Sequence, residues 1–246
     1  MAQNRSAAVM QQRHEPADSF YDFPTPPWAT RALCEALAHH GFDLSQMDAW
    51  EPCCNRGYMA GPLGEYFRSV FASDVMDYGY PGQDAIADFL INWAADAPRV
   101  DFVVMNPPFK LGLEFIQQGL RHARVGVAAF VRSSFVEGQE RYQELFSVRP
   151  EALVMPFVER VALWKGVLLD PDVPIWREKP DHPDGGKLER PTSATSYSWL
   201  VWIKPPMWNG RSEHRRIAPC RLRLTRPGDY PPLPDHLRAP ETEGLL

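Results

Sequence analysis

The run Val100-Asp101-Phe102-Val103-Val104-Met105-Asn106-Pro107-Pro108-Phe109 decides how this chain folds. Its first six residues read as a short buried strand bounded by a breaker. Two prolines after an asparagine cannot continue a sheet, because neither carries an N–H for the ladder. The strand therefore stops at Asn106 in stiff backbone, where carbonyls that find no ladder donor are free to face a ligand. An amide oxygen, a rigid carbonyl and an aromatic face then lie side by side at a strand's carboxyl end, where open α/β sheets bind their ligands. Such a set suits a flat, amine-bearing group whose hydrogens need acceptors. Taken alone the tetrapeptide reads equally well as a turn, since Asn-Pro pairs start turns. The rest of the chain separates the two readings.

Strand-like and helix-like segments alternate on either side of that run, from residue 28 to about residue 150. Ala29, Ala32, Leu33, Ala36 and Leu37 share one face of a helix over Trp28–His40, with Thr25 as its cap, prolines at its start and Gly41 at its end. His39 and His40 in its last turn suit the helix dipole better than a metal. A strand at Met47–Glu51, a helix at Met59–Phe67, a strand at Val70–Asp74 and a short helix at Ala85–Trp93 precede Asn106. A helix at Leu111–Arg124, a strand at Val125–Val131 and a helix at Glu137–Phe146 follow it. This rhythm predicts an α/β fold with a mainly parallel sheet covered on both faces. After Pro150, strands at Ala152–Val158 and Tyr197–Lys204 flank a polar loop, Asp170–Arg190, and are expected to pair antiparallel, since no helical crossover separates them.

The bulk composition excludes several classes. The chain has 246 residues, 44% hydrophobic and 23% charged, ordinary values for a globular protein. A net charge of −5 gives no global pull toward nucleic acid, so any such contact must be a local patch. No apolar run approaches the roughly 20 residues that cross a bilayer, and the first residues lack a signal-peptide core. Cys34, Cys53, Cys54 and Cys220 show no metal-ligand spacing, so reduced thiols, no metal and a cytoplasmic location are expected. The 25 prolines crowd the beginning and end of the chain. Residues 1–18 read as a mobile arm, residues 19–204 as the main domain, with the 170–190 loop as an insert that is functional or mobile, and 205–246 as a basic, then Pro-rich, extension that is extended rather than packed from Arg226 on.

A second constellation stands at the first strand: Ala49-Trp50-Glu51-Pro52-Cys53-Cys54-Asn55-Arg56-Gly57. Small residues, an αL-tolerant Asn55 and Gly57 let backbone approach a ligand closely. The stretch is not a dinucleotide or phosphate loop, and Glu51 suits a cationic group. One strand later Asp74 is placed where a carboxylate commonly holds ribose hydroxyls. Ala87-Asp88-Phe89-Leu90 then offers an acceptor beside an aromatic face, enough for an adenine ring.

In that order, an acid-Pro-small-small-x-x-Gly stretch, an acid after the second strand, Asp-Phe and Asn-Pro-Pro-Phe, the sequence resembles class I S-adenosylmethionine-dependent methyltransferases. Within them it is similar to small phage or prophage-type DNA adenine amino-methyltransferases, over residues 22–136 and more weakly to about 204. Asp22-Phe23-Pro24-Thr25-Pro26-Pro27-Trp28-Ala29 is similar to the segment that closes over the methionine end of the cofactor in those enzymes. The resemblance implies a Rossmann-like fold with a mixed seven-stranded sheet and S-adenosylmethionine as cofactor. It further implies that Thr25 binds the cofactor carboxylate. Glu51, with Pro52 and the Cys53–Gly57 backbone, would hold the methionine moiety, Asp74 the ribose, and Asp88 with Phe89 the adenine. Asn106 and the Pro107 carbonyl would accept from the target amine in the stiff turn completed by Pro108, while Phe109 stacks on a base flipped out of DNA.

Too few residues follow Lys204 for a large target-recognition domain. Lys204, Arg211, Arg215, Arg216, Arg221, Arg223 and Arg226, against the single acid Glu213, form the best phosphate-contact candidate. Arg132, Arg215, Arg216 and Trp199 are the substrate-binding candidates. Tyr197, Trp199 and Trp202 also fit as sheet packing, and Cys53 and Cys54 read as packing rather than as nucleophiles. RNA and protein-glutamine amine methyltransferases use the same tetrapeptide with Tyr or Phe, and a catalytically silent binding module on the same fold is an alternative of another class.

Overall fold

The computed structural model describes residues 22–91, 97–179, 182 and 185–240. The strands in chain order are β1 (Asp48–Glu51), β2 (Ser69–Asp74), β3 (Ala85–Ile86), β4 (Phe102–Met105), β5 (Gly126–Arg132), β6 (Leu153–Pro156), β7 (Ile175–Glu178), β8 (Gly186–Glu189), β9 (Tyr197–Ile203) and β10 (Glu213–His214). Eight form one sheet in the order β10-β6-β9-β5-β4-β1-β2-β3, and β7 and β8 pair as a separate hairpin. Within the sheet β9 alone runs antiparallel to its neighbours β5 and β6, Phe130 lying opposite Trp199 and Met155 opposite Trp199 on the other side. The mixed sheet read from the sequence is therefore present, with the two-residue β10 added at one edge.

The central strands explain themselves. β4 and β9 are buried along their whole length and β5 is buried up to Arg132, as expected for strands covered on both faces. Alternate residues divide between two cores. Phe102, Val104, Ala128, Phe130, Trp199 and Val201 meet the helix α1 (Pro27–His39), through Trp28, Leu33 and Leu37, and the five-residue helix α2 (Ala60–Gly64), through Leu63. Val103, Met105, Val127, Ala129, Leu200 and Trp202 meet the helix α3 (Gly112–His122) through Phe115, Ile116 and Leu120. This period-two split, with an amphipathic helix on each side, gives the three-layer arrangement.

Several sequence expectations need correction. No helix forms over 85–91, and the rest of the predicted Ala85–Trp93 helix lies outside the described residues. Asp74 O accepts from Ala87 N and Asp88 Oδ1 from Leu90 N, so other acceptors take amides a helix would use. The expected Glu137–Phe146 helix is a short α-turn at Gln139–Arg141 (α4) running into a π-turn at Tyr142–Phe146. The Asp170–Arg190 loop contains the β7–β8 hairpin. Thr25 does not cap α1: Pro26 is the N-cap and no side chain bonds there.

The segment after Arg226 is extended in backbone but not free of the core. Arg31 of α1, its side chain 3% exposed, binds Asp229 through both Nη1 and Nη2, Glu65 through Nε and Nη2, and Leu224 O, at 2.6–2.8 Å. Leu224 belongs to the short helix α5 (Arg221–Leu224), and Tyr230 packs against the α1 core. The N-terminal arm expected over residues 1–18 lies outside the described residues.

Candidate active site

At the carboxyl ends of β1, β2 and β4 the chain leaves a cleft of about 430 Å³, within the roughly 300–1,000 Å³ of ordinary small-molecule sites. Thr25, Glu51, Pro52, Cys53, Asp74, Asp88, Phe89, Asn106 and Pro108 all line it. Each acid leaves a different strand end or the turn after it, so the sheet's parallel order carries them to one place.

One end of the cleft is acidic and dry. Glu51 is 2% exposed and its Oε2 has no partner among the described residues. Burial, and after it the negative charge of Asp74, pushes the Glu51 carboxyl well above the ordinary carboxylate range. The Thr25 hydroxyl, 3% exposed, is equally without a partner. Two buried polar atoms left unpaired on one cleft wall are costly unless a ligand completes them. Asp74 is also shifted upward by burial, against the amides of Asn55 and Met76 that bond its two oxygens at 2.9 and 3.2 Å. Asn55 reaches Asp74 because it adopts φ +48°, the left-handed conformation its type tolerates. Burial raises the thiols of Cys53 and Cys54, which keeps both protonated and unreactive.

The other end is built on the Asn106 turn. Asn106 Nδ2 donates to Phe23 O at 2.8 Å, which fixes the amide with Oδ1 as the remaining acceptor. Asn106 O accepts the Cys53 thiol at 3.3 Å, and Pro108 O accepts Leu111 N at 2.9 Å. Among the described residues the Pro107 carbonyl between them has no partner. An amide oxygen and a free carbonyl thus flank the same rigid turn. The Phe109 ring lies 5.2 Å from that of Phe23 and beneath the Arg132 guanidinium at 4.3 Å.

Two expected residues are placed otherwise, and neither Pro107, which is buried, nor Phe109 is in the cleft lining. Gly57 does not line the cleft: its φ of +80° and the Tyr80 ring, 2.3 Å from where a Cβ would stand, account for the glycine. Trp199 is fully buried with its Nε1 donating to Ala29 O at 2.9 Å, which removes it from any substrate surface. Phe89, 2% exposed, lines the cleft but is held edge-on to Trp50 at 5.0 Å and tilted against Phe115, so it is a wall of fixed orientation. Arg215 and Arg216 are exposed just past the end of β10, which runs parallel to β6 and so ends at the same margin of the sheet as Asn106.

Sequence reasoning missed Tyr58, Tyr78 and Leu111 in the lining. It also missed the clamp that holds the Asp22–Pro27 segment over the cleft, in which Asp22 accepts from Arg56 Nη2 and Asn55 Nδ2 at 2.8 and 2.9 Å. No local pattern signals a contact between residues 33 or 34 positions apart.

No protein-family model matches the chain, and no curated protein matches its sequence. Solved structures do resemble it. One is the methyltransferase subunit of a type I restriction-modification system from Streptococcus thermophilus, at TM-score 0.53 and 14% identity over 76% of this chain and 46% of that one. Another, from Listeria monocytogenes, is assigned as a class I S-adenosylmethionine-dependent methyltransferase, at TM-score 0.52 and 13% identity over 85% and 69%. A third, from Vibrio vulnificus, is assigned as the modification subunit of a type I restriction enzyme, at TM-score 0.51 and 14% identity over 85% and 50%. The chain thus spans about half the length of the two type I subunits. At these identities the likeness is one of architecture, and the chain has the Rossmann-like fold of the class I methyltransferases.

Proposed function

We propose that this chain transfers a methyl group from S-adenosylmethionine to the exocyclic amine of adenine in DNA. The observation that carries the reading is the Asn106 turn, whose amide lines the acidic cleft and is locked by Phe23 O so that Oδ1 remains as an acceptor, followed in the same turn by the Pro107 carbonyl. The cleft suits the cofactor on its own evidence: Thr25 Oγ1 and Glu51 Oε2 are buried, unpaired and on its wall. Glu51 answers the cationic methionine end and Thr25 its carboxylate. Asp74 takes ribose hydroxyls, and Asp88 an adenine amine against the Phe89 wall. When bound, the cofactor supplies an electrophilic methyl group.

What the protein's residues supply is position. An exocyclic amine conjugated with its ring is a poor nucleophile. Asn106 Oδ1 and Pro107 O, accepting its two hydrogens, favour a pyramidal nitrogen with its lone pair aimed away from them, toward the cleft. Positioning and fixed dipoles then account for the rate without a covalent or metal-bound step. DNA is favoured over other amine substrates by two supports: type I restriction-modification subunits are among the structures it resembles, and Arg215 and Arg216 are exposed at the margin where Asn106 opens.

The test combines calorimetric titration of S-adenosylmethionine with tritiated methyl transfer to unmethylated duplex DNA, RNA and protein. Asn106→Ala is expected to bind the cofactor while losing about 10²–10³ in turnover, the usual cost of one acceptor or donor made in the transition state. Unchanged turnover refutes the role of Asn106. Transfer to RNA or protein alone refutes DNA, and absence of cofactor binding refutes the enzyme.

A further inference from the structure

Arg132 ends β5 and is exposed, yet its guanidinium lies flat on the Phe109 ring, 4.3 Å from the centroid. The same ring is touched by Phe23, which is 5% exposed and part of the α1 core. A planar group that stacks on the Phe109 face beneath Arg132 must displace that guanidinium. Phe23 is held by the core and its carbonyl fixes Asn106. Arg132 makes no ion pair among the described residues, so it is the one that yields. Where it goes is also drawn. Arg132 borders a second cleft, of about 450 Å³, with Ser133, Ser134, Thr195, Ser196 and one carboxylate, Glu137. Arg160, outside that lining, donates from Nη1 to Ser196 Oγ at 2.7 Å. Hydroxyls with the Arg132 guanidinium make a lining suited to a phosphodiester.

We infer that Arg132 is a placeholder for the target base: it covers Phe109 in the base-free protein and turns to the phosphate beside the extruded nucleotide when the base takes its seat. The inference rests on the DNA reading above and makes Arg132 a positioning residue. Before substrate arrives it keeps an apolar ring from open water. Afterwards it holds the strand that has lost a stacked base, offsetting part of the unstacking cost. The same side chain therefore opposes binding of a base alone and assists binding of a base that brings its phosphate.

That opposition in sign is the test. Wild type, Arg132→Ala and Arg132→Lys, each loaded with S-adenosylhomocysteine, are titrated with free adenine by NMR and with unmethylated duplex DNA over a range of salt. Arg132→Ala is expected to bind adenine about two- to five-fold tighter, the worth of one exposed cation–π contact. It should bind DNA more weakly, with the slope of log affinity against log salt smaller by about 0.9. KM for DNA should rise with kcat nearly kept. Arg132→Lys should restore the salt slope but not the full cover on Phe109. Melting temperature and cofactor affinity, unchanged in either variant, identify the protein as intact, and Arg132→Lys serves if Arg132→Ala is not. Weaker binding of both ligands, no change in either, or no adenine binding to the variant overturns the placeholder while DNA methylation by the wild type leaves the function standing. If the wild type transfers no methyl group to DNA, the function falls and the placeholder with it.

Discussion

Replacing Glu51 by Gln is expected to stabilise the ligand-free protein increasingly as pH rises and, under the function proposed above, to weaken cofactor binding. Glu51 is almost completely buried, its Oε2 unpaired, and its pKa is raised by burial and then by Asp74. A carboxyl raised in this way holds its proton more tightly folded than unfolded. Its contribution to stability is complete below the unfolded value near 4.3 and is lost as pH climbs through the folded value. Inside that window the loss is about 1.4 kcal/mol per pH unit, or roughly 3–6 °C in melting temperature for a chain of this size. Asp74 is shifted the same way, so the wild type carries both slopes and Glu51→Gln removes its own share.

Scanning calorimetry of the two proteins without ligand, from pH 5 to 8, measures the difference directly. The melting temperature of Glu51→Gln minus that of wild type should grow with pH. A cation placed against Glu51 draws its proton off, so binding S-adenosylmethionine should release a proton from wild type and not from the variant. Titration calorimetry in phosphate and in Tris reads that proton as a difference in apparent enthalpy. A melting difference that stays flat across pH, together with a buffer-independent enthalpy, would show that Glu51 is ionised in the free protein and that the acidic end of the cleft has been misread.

Arg31→Met should cost about 3–5 kcal/mol, since it strands Asp229 and Glu65 beside a buried pocket and releases the C-terminal segment from α1; limited proteolysis should then cut near residue 229 before the sheet unfolds, and a two-state loss without early cleavage refutes the anchoring role. Gly57→Ala must carry a Cβ at φ +80° with the Tyr80 ring in its way, at a cost of more than about 1–2 kcal/mol. Tyr80→Ala in the same chain should recover the steric part and leave the backbone strain; full recovery would show that the φ angle carries no cost.

The parts of this fold that the sequence discloses are those governed by local burial. β4, β5 and β9 are continuous apolar runs because both faces are covered, and α1 and α3 show a single apolar face because one side is covered. The acids of the site were legible for a related reason. Glu51, Asp74 and Asn106 each follow a recognisable strand, and a parallel sheet brings strand ends together whatever the distance along the chain. What was hidden depends on distant partners. The stretch after Ala85 has helix-compatible residues, but its amides bond to Asp74 O and to the side chain of Asp88. The β7–β8 hairpin has polar strands, Ile175, Trp176 and Leu188 apart, that carry little alternation. Trp199 looked available for substrate until Ala29, on a helix 170 positions earlier, claimed its indole N–H.

The basic segment after β9 shows how the same residues can look alike in sequence and differ in use. Lys204 donates to Ala123 O, Arg221 binds Glu159 and Asp172, Arg223 binds Glu35, and Arg226 binds Glu65. These four fasten the tail to the fold. Arg211, Arg215 and Arg216 make no ion pair among the described residues. The pairs are unequal: the Arg221 side chain is 15% exposed and binds two carboxylates, whereas Arg223 and Glu35 are open to solvent and hold each other weakly. A phosphate could take Arg223 more readily than Arg221. The run read as one patch is therefore a structural strap with a short row of free guanidinium groups. Arg215 and Arg216 follow β10 and sit at the margin of the sheet where β4 runs into Asn106, whereas Arg211 precedes β10 and lies toward the other margin.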